Sequence, residues 1–498
     1  MFQTLKNAWK TQELRTKLLF TLLIVILYRL GSAIPVPFVS GVSETINNNS
    51  ANYALTMIAG QSFEQATLFA LGVSPYITSS IIVQLLTFAI PALERWAKEG
   101  EEGKKKIDLM TRIITLVLSV ITSFGYAGLV ISNGWTNITL NGTSKVVFIN
   151  VFQSANLAGL KFAIMVACYI AGAMLVMWLA EKINDHGIGN GISVILFANI
   201  IARLPQTFMS IYNGIADSIA RLNSTNYDKI PVGLSEDKLF YINTDPDRIL
   251  YFVSNIVWAV IVVALLIGLT WLIVWFTDSE RRIPVQYAKK VVGRKMYGGA
   301  SSNLPLKLNM AGVMPVIFAN SIVSIPGTLA TIFAAGWLTN LANYYFAYTK
   351  PLYVVLSIIL LFAFAYFYIF MSFNPTEVSN NIRNNGGVVP GIRPGKPTRD
   401  YIKKILHRVT LIGAIFLCIV SEVPKIIVSI FATINDLNTV FAGFATGVVK
   451  FYTYGANLFM TVAFSGTSML IVVGVVLEIV RELEAQLTMR NMKGFLDR

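Results

Sequence analysis

Long apolar runs alternate with short polar segments along the whole chain. A bilayer core about 30 Å thick takes roughly 20 residues of helix to cross. Ten runs of that kind cover residues 17–36, 71–91, 109–132, 160–180, 187–204, 249–277, 309–337, 352–373, 409–431 and 454–480. Backbone groups in lipid must pair within the spanning element, and runs of this length are typical of helices rather than barrel strands. The pattern predicts an all-α polytopic membrane protein with ten transmembrane helices.

The composition agrees with a membrane protein. The chain is 55% hydrophobic and 13% charged, whereas an ordinary soluble protein is about a quarter charged. The net charge of +14 would otherwise suggest nucleic-acid binding, but the basic residues lie between the apolar runs. Cys168 and Cys418 both lie inside apolar runs, and His186 and His407 have no neighbouring ligands in the sequence. We therefore predict no disulfide framework, no metal site and no cofactor.

Lys and Arg are unevenly distributed between the runs. They are frequent before the first run and in segments 92–108, 278–308 and 374–408, whereas the segment between the first two runs has none. The positive-inside rule therefore places both termini on the cytoplasmic side of the cell membrane. Segment 205–248 carries charges of both signs, and the alternation of the runs places it outside.

The runs divide into two sets of five. This division gives an N-terminal half at 1–204, an external loop at 205–248 and a C-terminal half at 249–498. An inverted repeat would have this form, although no internal sequence similarity supports one. Residues 54–70 are apolar but too short to span, and the sequence alone favours a helix in the outer loop over a re-entrant element.

Several stretches resemble the SecY family. They are LGVSPYITSSIIVQLL at 71–86, GIGNGIS at 187–193 and FSGTSMLIVVGV at 464–475. The polar segments 285–320 and 373–402, and QLTMRNMKGF at 486–495, are similar to that family too. The resemblance implies the central pore-forming subunit of a protein translocase. It also implies two pseudo-symmetric five-helix halves around a central pore.

A pore for unfolded polypeptides must close without leaking ions, and a narrow ring of aliphatic side chains does so by dewetting. The resemblance assigns this pore ring to Val73, Ile77, Ile192, Leu196, Ile317 and Ile471. The first two pairs have i, i+4 spacing, which puts both members of each pair on one helix face. Without the resemblance, these side chains would be interpreted as packing or lipid-facing residues.

The resemblance also implies a plug, a half-helix within residues 54–70 that seals the outer side of the pore at rest. Its predicted residues are Gly60, Ser62, Phe63, Ala66 and Thr67. The segment departs from the family pattern, because it is poor in glycine and has Gln65 where the family has arginine. The contacts of the plug are therefore expected to differ.

A lateral gate towards lipid is implied between spans two and three on one side and spans seven and eight on the other. Its candidate polar residues are Thr78, Ser79, Ser80, Gln84 and Asn320. Polar contacts between membrane helices contribute roughly 0.6 kcal/mol each, so they are expected to hold the gate weakly. Packing by small residues is the alternative explanation.

The basic segments 278–308 and 374–408 are predicted cytoplasmic loops. Their candidate docking residues are Arg281, Arg282, Lys289, Lys290, Arg294, Lys295, Arg393, Lys396 and Arg399. Binding to anionic lipid, at about 1 kcal/mol per charge, is one explanation. The resemblance implies docking of the ribosome or a SecA-type ATPase, with Arg393 foremost. The sequence GGVVPGIRPGKPT at 386–398 predicts a projecting turn with Arg393 and Lys396 at its tip.

Further partners implied by the resemblance are SecE-like and SecG-like small membrane subunits, signal peptides, nascent chains and the lipid bilayer. The competing hypothesis is a secondary transporter, which would place ionisable groups near mid-membrane. Arg29, Glu422 and Glu478 are instead predicted to lie towards span ends, which favours the channel. GIRPGKPT lacks the spacing of a phosphate-binding loop, so ATP hydrolysis is assigned to a partner and no catalytic residue is predicted.

Overall fold

The computed structural model describes residues 2–39, 61–132, 158–223, 231–232, 240–241, 245–287, 290–292, 295–297, 301–333, 336–346, 350–440 and 465–496. The helices are α1 (Phe2–Lys10), α2 (Gln12–Ala33), α3 (Gln61–Glu64), α4 (Ser74–Ala89), α5 (Pro91–Lys98), α6 (Glu101–Ser132), α7 (Ala158–His186), α8 (Gly191–Asn223), α9 (Asp245–Asp278), α10 (Met314–Val323), α11 (Ile325–Phe333), α12 (Gly336–Tyr345), α13 (Pro351–Ser372), α14 (Pro375–Asn384), α15 (Lys396–Val440) and α16 (Ser465–Leu496). The strands are β1 (Pro231–Val232), β2 (Phe240–Tyr241), β3 (Glu280–Tyr287), β4 (Lys290–Val292), β5 (Lys295–Tyr297), β6 (Ser301–Lys307) and β7 (Gly387–Val388).

The helices confirm an all-α polytopic membrane protein. Within the described residues, 6 helices are long and apolar enough to cross a membrane, or up to 7 if α4 and α5 count as one span bent by 102°. Two shorter apolar helices, Gly191–Pro205 and Met314–Ala330, correspond to the predicted fifth and seventh spans. The predicted tenth span is described from residue 465 onwards, as α16. Large apolar side chains on the outer helix faces are exposed, as in Ile267 at 66%, which suits contact with lipid.

Helices extend beyond two of the predicted spans, and a third span contains a break. Helix α8 does not end at residue 204 but continues through Pro205 to Asn223, so the predicted external loop begins inside a helix. In the seventh span, α10 and α11 meet at a one-residue break, Ser324, although i, i+4 backbone bonds continue through it from Ser324 N–H to the Asn320 carbonyl and from Thr328 N–H to the Ser324 carbonyl. Pro326 follows this break and sits in the first turn of α11, where its missing N–H is tolerated. Helix α15 begins at Lys396, well before the predicted ninth span.

The two predicted cytoplasmic loops share a small antiparallel sheet that the sequence analysis did not predict. Strand β3 pairs with β6 from Glu280↔Lys307 to Gln286↔Ser301, and its end pairs with β7 through Gln286↔Val388. Ile283 and Val285 alternate with exposed neighbours on β3 and pack on Leu306, Ile382 and Ile402. This apolar cluster holds the loops as one body.

The largest apolar cluster lies between α2, α4, α7, α8, α9, α10, α13, α15 and α16. A second cluster joins residues 63–71 to Tyr126 of α6 and Tyr169 of α7. The candidate constriction lies in the first cluster and the described part of the candidate plug lies in the second, so the two sites rest on different sets of contacts.

Candidate functional site

The six predicted pore-ring side chains fall within the largest apolar cluster. Five of them are buried, and Ile192 is half-buried and packs against the others' cluster. They come from four separate helical stretches: the start of α4, the start of α8, the start of α10 and the second turn of α16. These six residues are Val73, Ile77, Ile192, Leu196, Ile317 and Ile471.

The turn before α8 shows why GIGNGIS has its composition. Gly189 has φ +86°, a conformation that side chains disfavour, and its N–H donates to Glu482 Oε2 at 2.7 Å. The Asn190 side chain accepts from the N–H of Ile192 at 3.0 Å, and Asn184 accepts from the N–H of Gly191 at 2.7 Å. These caps satisfy the first N–H groups of α8. They fix the helix start that carries two ring residues.

The candidate plug is anchored to the N-terminal half. Gly60 lies outside the described residues, and Ser62, Phe63, Ala66 and Thr67 are all buried. Helix α3 makes a single turn, after which the Thr67 backbone forms a bridge to Pro35. The described part of the segment is therefore one turn of helix followed by turns that are bridged to Pro35, and residues 54–60 of the predicted outer-loop helix lie outside the described residues.

Two tyrosines hold the plug backbone. The Tyr126 hydroxyl donates to the Phe63 carbonyl at 2.5 Å, and its ring lies 4.8 Å from the Phe63 ring. The Tyr169 hydroxyl donates to the Ala66 carbonyl at 3.5 Å. Ala66 has φ +49°, a costly conformation for a residue with a side chain. These contacts stabilise the strained turn.

The polar residues of the candidate lateral gate bond within their own half, contrary to the predicted bonding across the gate. Thr78 donates to its own helix at Ser74, and Gln84 donates to Ser80 at 3.2 Å. Ser79 is 2.5 Å from Thr115 of α6, which belongs to the same half. On the other side of the gate, Asn320 accepts from Lys425 of α15 at 3.5 Å. Thr78 and Gln84 find partners one turn away on their own helix, and Ser79 finds one on α6, which packs directly beside α4.

An aromatic contact spans the gate instead. Phe88 at the end of α4 meets Phe367 of α13 edge to face, with ring centroids 5.7 Å apart. Such pairs contribute about 0.5–1.5 kcal/mol beyond the area that they bury. Helices α4 and α13 are those of the predicted second and eighth spans, so this pair is a contact between the two halves, beside the packing of α10 on α4 and of α11 on α6.

The described docking residues lie on or beside the shared sheet. Arg281 and Arg282 are exposed on β3, and Arg282 pairs with Glu280 at 2.7 Å. Arg393 is exposed in the turn before α15, where Thr398 donates to its carbonyl at 2.8 Å. Lys396 was predicted to lie at the tip of this turn, but it is the first residue of α15. The turn thus presents Arg393 to the solvent.

The other docking residues are placed as follows. Arg399 pairs with Asp400 at 2.9 Å. Lys290 and Lys295 lie on β4 and β5, whereas Lys289 and Arg294 fall outside the described residues. At the edge of the sheet, desolvation lowers the pKa of Lys307, and the nearby charge of Arg481 lowers this pKa further.

A pair of opposite charges is buried in α15. Glu422 was predicted to lie towards the end of its span and lies near the end of the apolar stretch Lys396–Ile427, although α15 itself continues to Val440; Lys425 was not predicted. Glu422 is 1% exposed and pairs at 2.8 Å with Lys425, which is 3% exposed. Opposite charges at i, i+3 inside an apolar run were the available signal. Within the described residues, no group of three or more His, Cys, Asp or Glu is arranged to hold a metal ion.

Helices long and apolar enough to cross a membrane, a buried aliphatic cluster drawn from four helical stretches and a basic sheet shared by two loops fit a membrane channel. A family model described as SecY matches residues 67–480. The protein translocase subunit SecY of Streptomyces coelicolor is 37% identical over 510 residues, and that of Bacillus subtilis is 34% identical over 498 residues. Both alignments cover 100% of each chain. The chain belongs to the SecY family, the pore-forming subunits of protein translocases, which confirms the predicted family.

Solved channels share the fold. A structure described as a protein conducting channel matches with a TM-score of 0.55 at 15% identity, over 95% of this chain and 92% of that one. A structure described as showing that the plug domain of SecY stabilises the closed state matches with a TM-score of 0.54, over the same shares and at 15% identity. At these identities the likeness shows the fold alone.

Proposed function

We propose that this chain is a passive, gated pore for unfolded polypeptides, sealed at rest by the six-residue pore ring. One observation carries the proposal: aliphatic side chains from four separate stretches fall in a single buried cluster. Aliphatic groups make no directional bonds, so they close on themselves at rest and yield to any passing side chain. A narrow apolar passage also excludes hydrated ions by dewetting.

The boundary between the two halves is proposed to open as a lateral cleft that releases hydrophobic segments into lipid. Helices α4 and α6 line one side, and α10, α11 and α13 line the other. An apolar signal segment gains burial at about 25 cal/mol per Å² when it leaves the aqueous pore for this cleft. The Phe88–Phe367 contact is small enough for such a segment to displace.

The basic sheet is the proposed docking surface for a partner that drives transport. Arg393 projects from a turn whose backbone is held by Thr398 and Ser379, so its position is preorganised. A structure described as Sec61 in a canine ribosome-channel complex shares the fold at a TM-score of 0.51 and 14% identity. A translating ribosome and a SecA-type ATPase are therefore the proposed partners. The chain itself performs no catalysis.

The membrane orientation and the small subunits belong to the same proposal. The basic loops and both termini face the cytoplasm of a cell bounded by this membrane, in accordance with the positive-inside rule. SecE-like and SecG-like single-span subunits complete the channel. The exposed apolar faces of the outer helices provide the surface on which they pack.

A photo-crosslinking experiment tests the pore. A photoreactive residue is placed at Ile192 in the ring, or at lipid-facing Ile267 of α9 as the control. The complex is then reconstituted with its ATPase and a preprotein arrested midway by a folded domain. We expect Ile192 to crosslink to the arrested chain and Ile267 to lipid only. Equal labelling from both positions, or no preprotein adduct at Ile192, would contradict the proposal.

A further inference from the structure

The C-terminal half contains a pair of buried charges in the membrane-spanning part of α15. The carboxylate of Glu422 and the ammonium of Lys425 are 2.8 Å apart, and both side chains are almost fully buried. Removing two charges from water is costly even when they pair with each other. Ionisable residues within membrane helices therefore point to a role beyond packing.

The pair lies at the centre of a polar network. Glu422 Oε1 accepts from the Ser357 hydroxyl of α13 at 2.8 Å and from the Ser421 hydroxyl at 3.0 Å. Ser421 is 3.2 Å from the Thr467 hydroxyl of α16. Lys425 donates to the Asn320 amide oxygen of α10 at 3.5 Å. The network joins α10, α13, α15 and α16.

Two of these contacts lie one helical turn from the pore ring. Asn320 follows Ile317 by three residues on α10, and Thr467 precedes Ile471 by four residues on α16. Residues with i, i+3 and i, i+4 spacing share a helix face. The network therefore contacts α10 and α16, the two ring-bearing helices of the C-terminal half, one turn from Ile317 and Ile471.

The packing of α16 on α15 is close at the same level. Pro424 lies inside α15 and has no N–H to donate to the Val420 carbonyl. A Cβ at Gly466 would stand 2.7 Å from this carbonyl oxygen, so only glycine fits there without a shift. The backbone contact sets the distance between the helices, and the Ser421–Thr467 contact sets their register.

We infer that Glu422 and Lys425 are positioning residues that hold α10 and α16 so that Ile317 and Ile471 stand in the pore ring. This inference rests on the proposed sealing function of that ring. Hydrogen-bonded charges hold the positions of α10 and α16 more specifically than apolar contacts do, because helices can shift slightly along an apolar interface without losing contact. The contact from Lys425 to Asn320 is long, so α10 can leave it when the gate opens while Glu422 keeps the ammonium in place.

The test compares matched variants in resting channels. The double variant Glu422→Gln/Lys425→Met removes both charges with little change in volume, whereas each single variant leaves a buried charge uncompensated. We expect the double variant to insert and elute as the native complex but to raise resting ion conductance about tenfold, the factor represented by one lost hydrogen bond to a charged group. Asn320→Leu is expected to behave likewise. Asn320→Asp, which still accepts from Lys425, should stay close to native conductance.

Thr410→Ala is the control, because it removes a buried hydroxyl of α15 that lies outside the network and donates to the Leu406 carbonyl of its own helix. Native conductance in the double variant and in Asn320→Leu would overturn the positioning role, provided that Ile317→Asn leaks in the same assay. If Ile317→Asn also fails to leak, the ring itself is not the seal, and the proposed function falls together with this inference. Elution detects misfolding of the double variant. In that case, the difference in resting conductance between Asn320→Leu and Asn320→Asp decides whether the contact with Lys425 positions α10.

Discussion

The carboxylate of Glu482 accepts a hydrogen bond of 2.7 Å from the backbone N–H of Gly189. This bond joins the C-terminal part of α16 to the turn before α8. Gln486 donates to the other oxygen of Glu482 at 3.1 Å, which orients the carboxylate. Helices α16 and α8 both carry pore-ring residues, so the contact fixes one side of the ring relative to the other from outside the constriction.

Glu482→Ala should loosen the start of α8. The variant leaves the Gly189 N–H to solvent and should destabilise the turn by about 1 kcal/mol, the usual contribution of a partly exposed hydrogen bond. We expect a lower thermal unfolding midpoint and a several-fold rise in resting conductance. Thr488→Ala, on the exposed side of α16, is the control. An unchanged midpoint and conductance would show that the contact does not position α8.

Phe88→Ala should make the lateral gate easier to open. The edge-to-face pair with Phe367 contributes about 1 kcal/mol, which corresponds to roughly a fivefold change in the open population. Preproteins with shortened signal-sequence cores should therefore be transported several-fold faster by the variant. Phe370→Ala is the matched control, because Phe370 lies on α13 as Phe367 does but contacts His407 rather than Phe88. Equal rates for the native chain and Phe88→Ala would remove the aromatic pair from the gate.

Tyr126→Phe should release one anchor of the plug. The change keeps the ring that packs on Phe63 and removes the hydroxyl that donates to the Phe63 carbonyl. A net loss of about 1 kcal/mol should raise the population of the displaced plug roughly fivefold. The frequency of brief openings in single-channel recordings measures the population of the displaced plug. Tyr169→Phe, whose hydrogen bond is longer at 3.5 Å, should change the openings less; the reverse order would contradict this assignment.

Arg393→Gln should weaken transport driven by the cytosolic partner far more than Arg399→Gln does. Both arginines lie near the same turn, but Arg399 is already neutralised by Asp400 at 2.9 Å. The measurements are binding of the ATPase or ribosome and transport by reconstituted complexes at physiological salt, since surface charge is screened at high salt. Similar losses in the two variants would show that net charge, rather than the presented Arg393, governs docking.

Helix positions were predictable because lipid imposes them. The ring assignment rests on motifs that resemble a family, and it stays a prediction although its six residues lie in one apolar cluster. Side-chain partners were not predictable from the pattern. Pro205 predicts a helix end, yet α8 continues past it to Asn223. The strand alternation of Ile283 and Val285 is obscured by arginines and a proline. Ser79 was a candidate polar residue of the gate, and its hydroxyl lies 2.5 Å from that of Thr115 in the same half, a pairing that the sequence pattern does not reveal.

The resting conductance of ring variants tests the central claim most directly. Ile192→Asn and Ile471→Asn place hydrated amides in the constriction, whereas Ile192→Leu and Ile471→Leu keep it apolar, and Ile267→Asn puts an amide on the lipid-facing side. Planar-bilayer recordings without translocation substrate should show ion leak in the two ring asparagine variants, a larger leak when they are combined, and none in the others. Sealed channels in the combined asparagine variant, or equal leak in the leucine variants, would contradict an aliphatic seal.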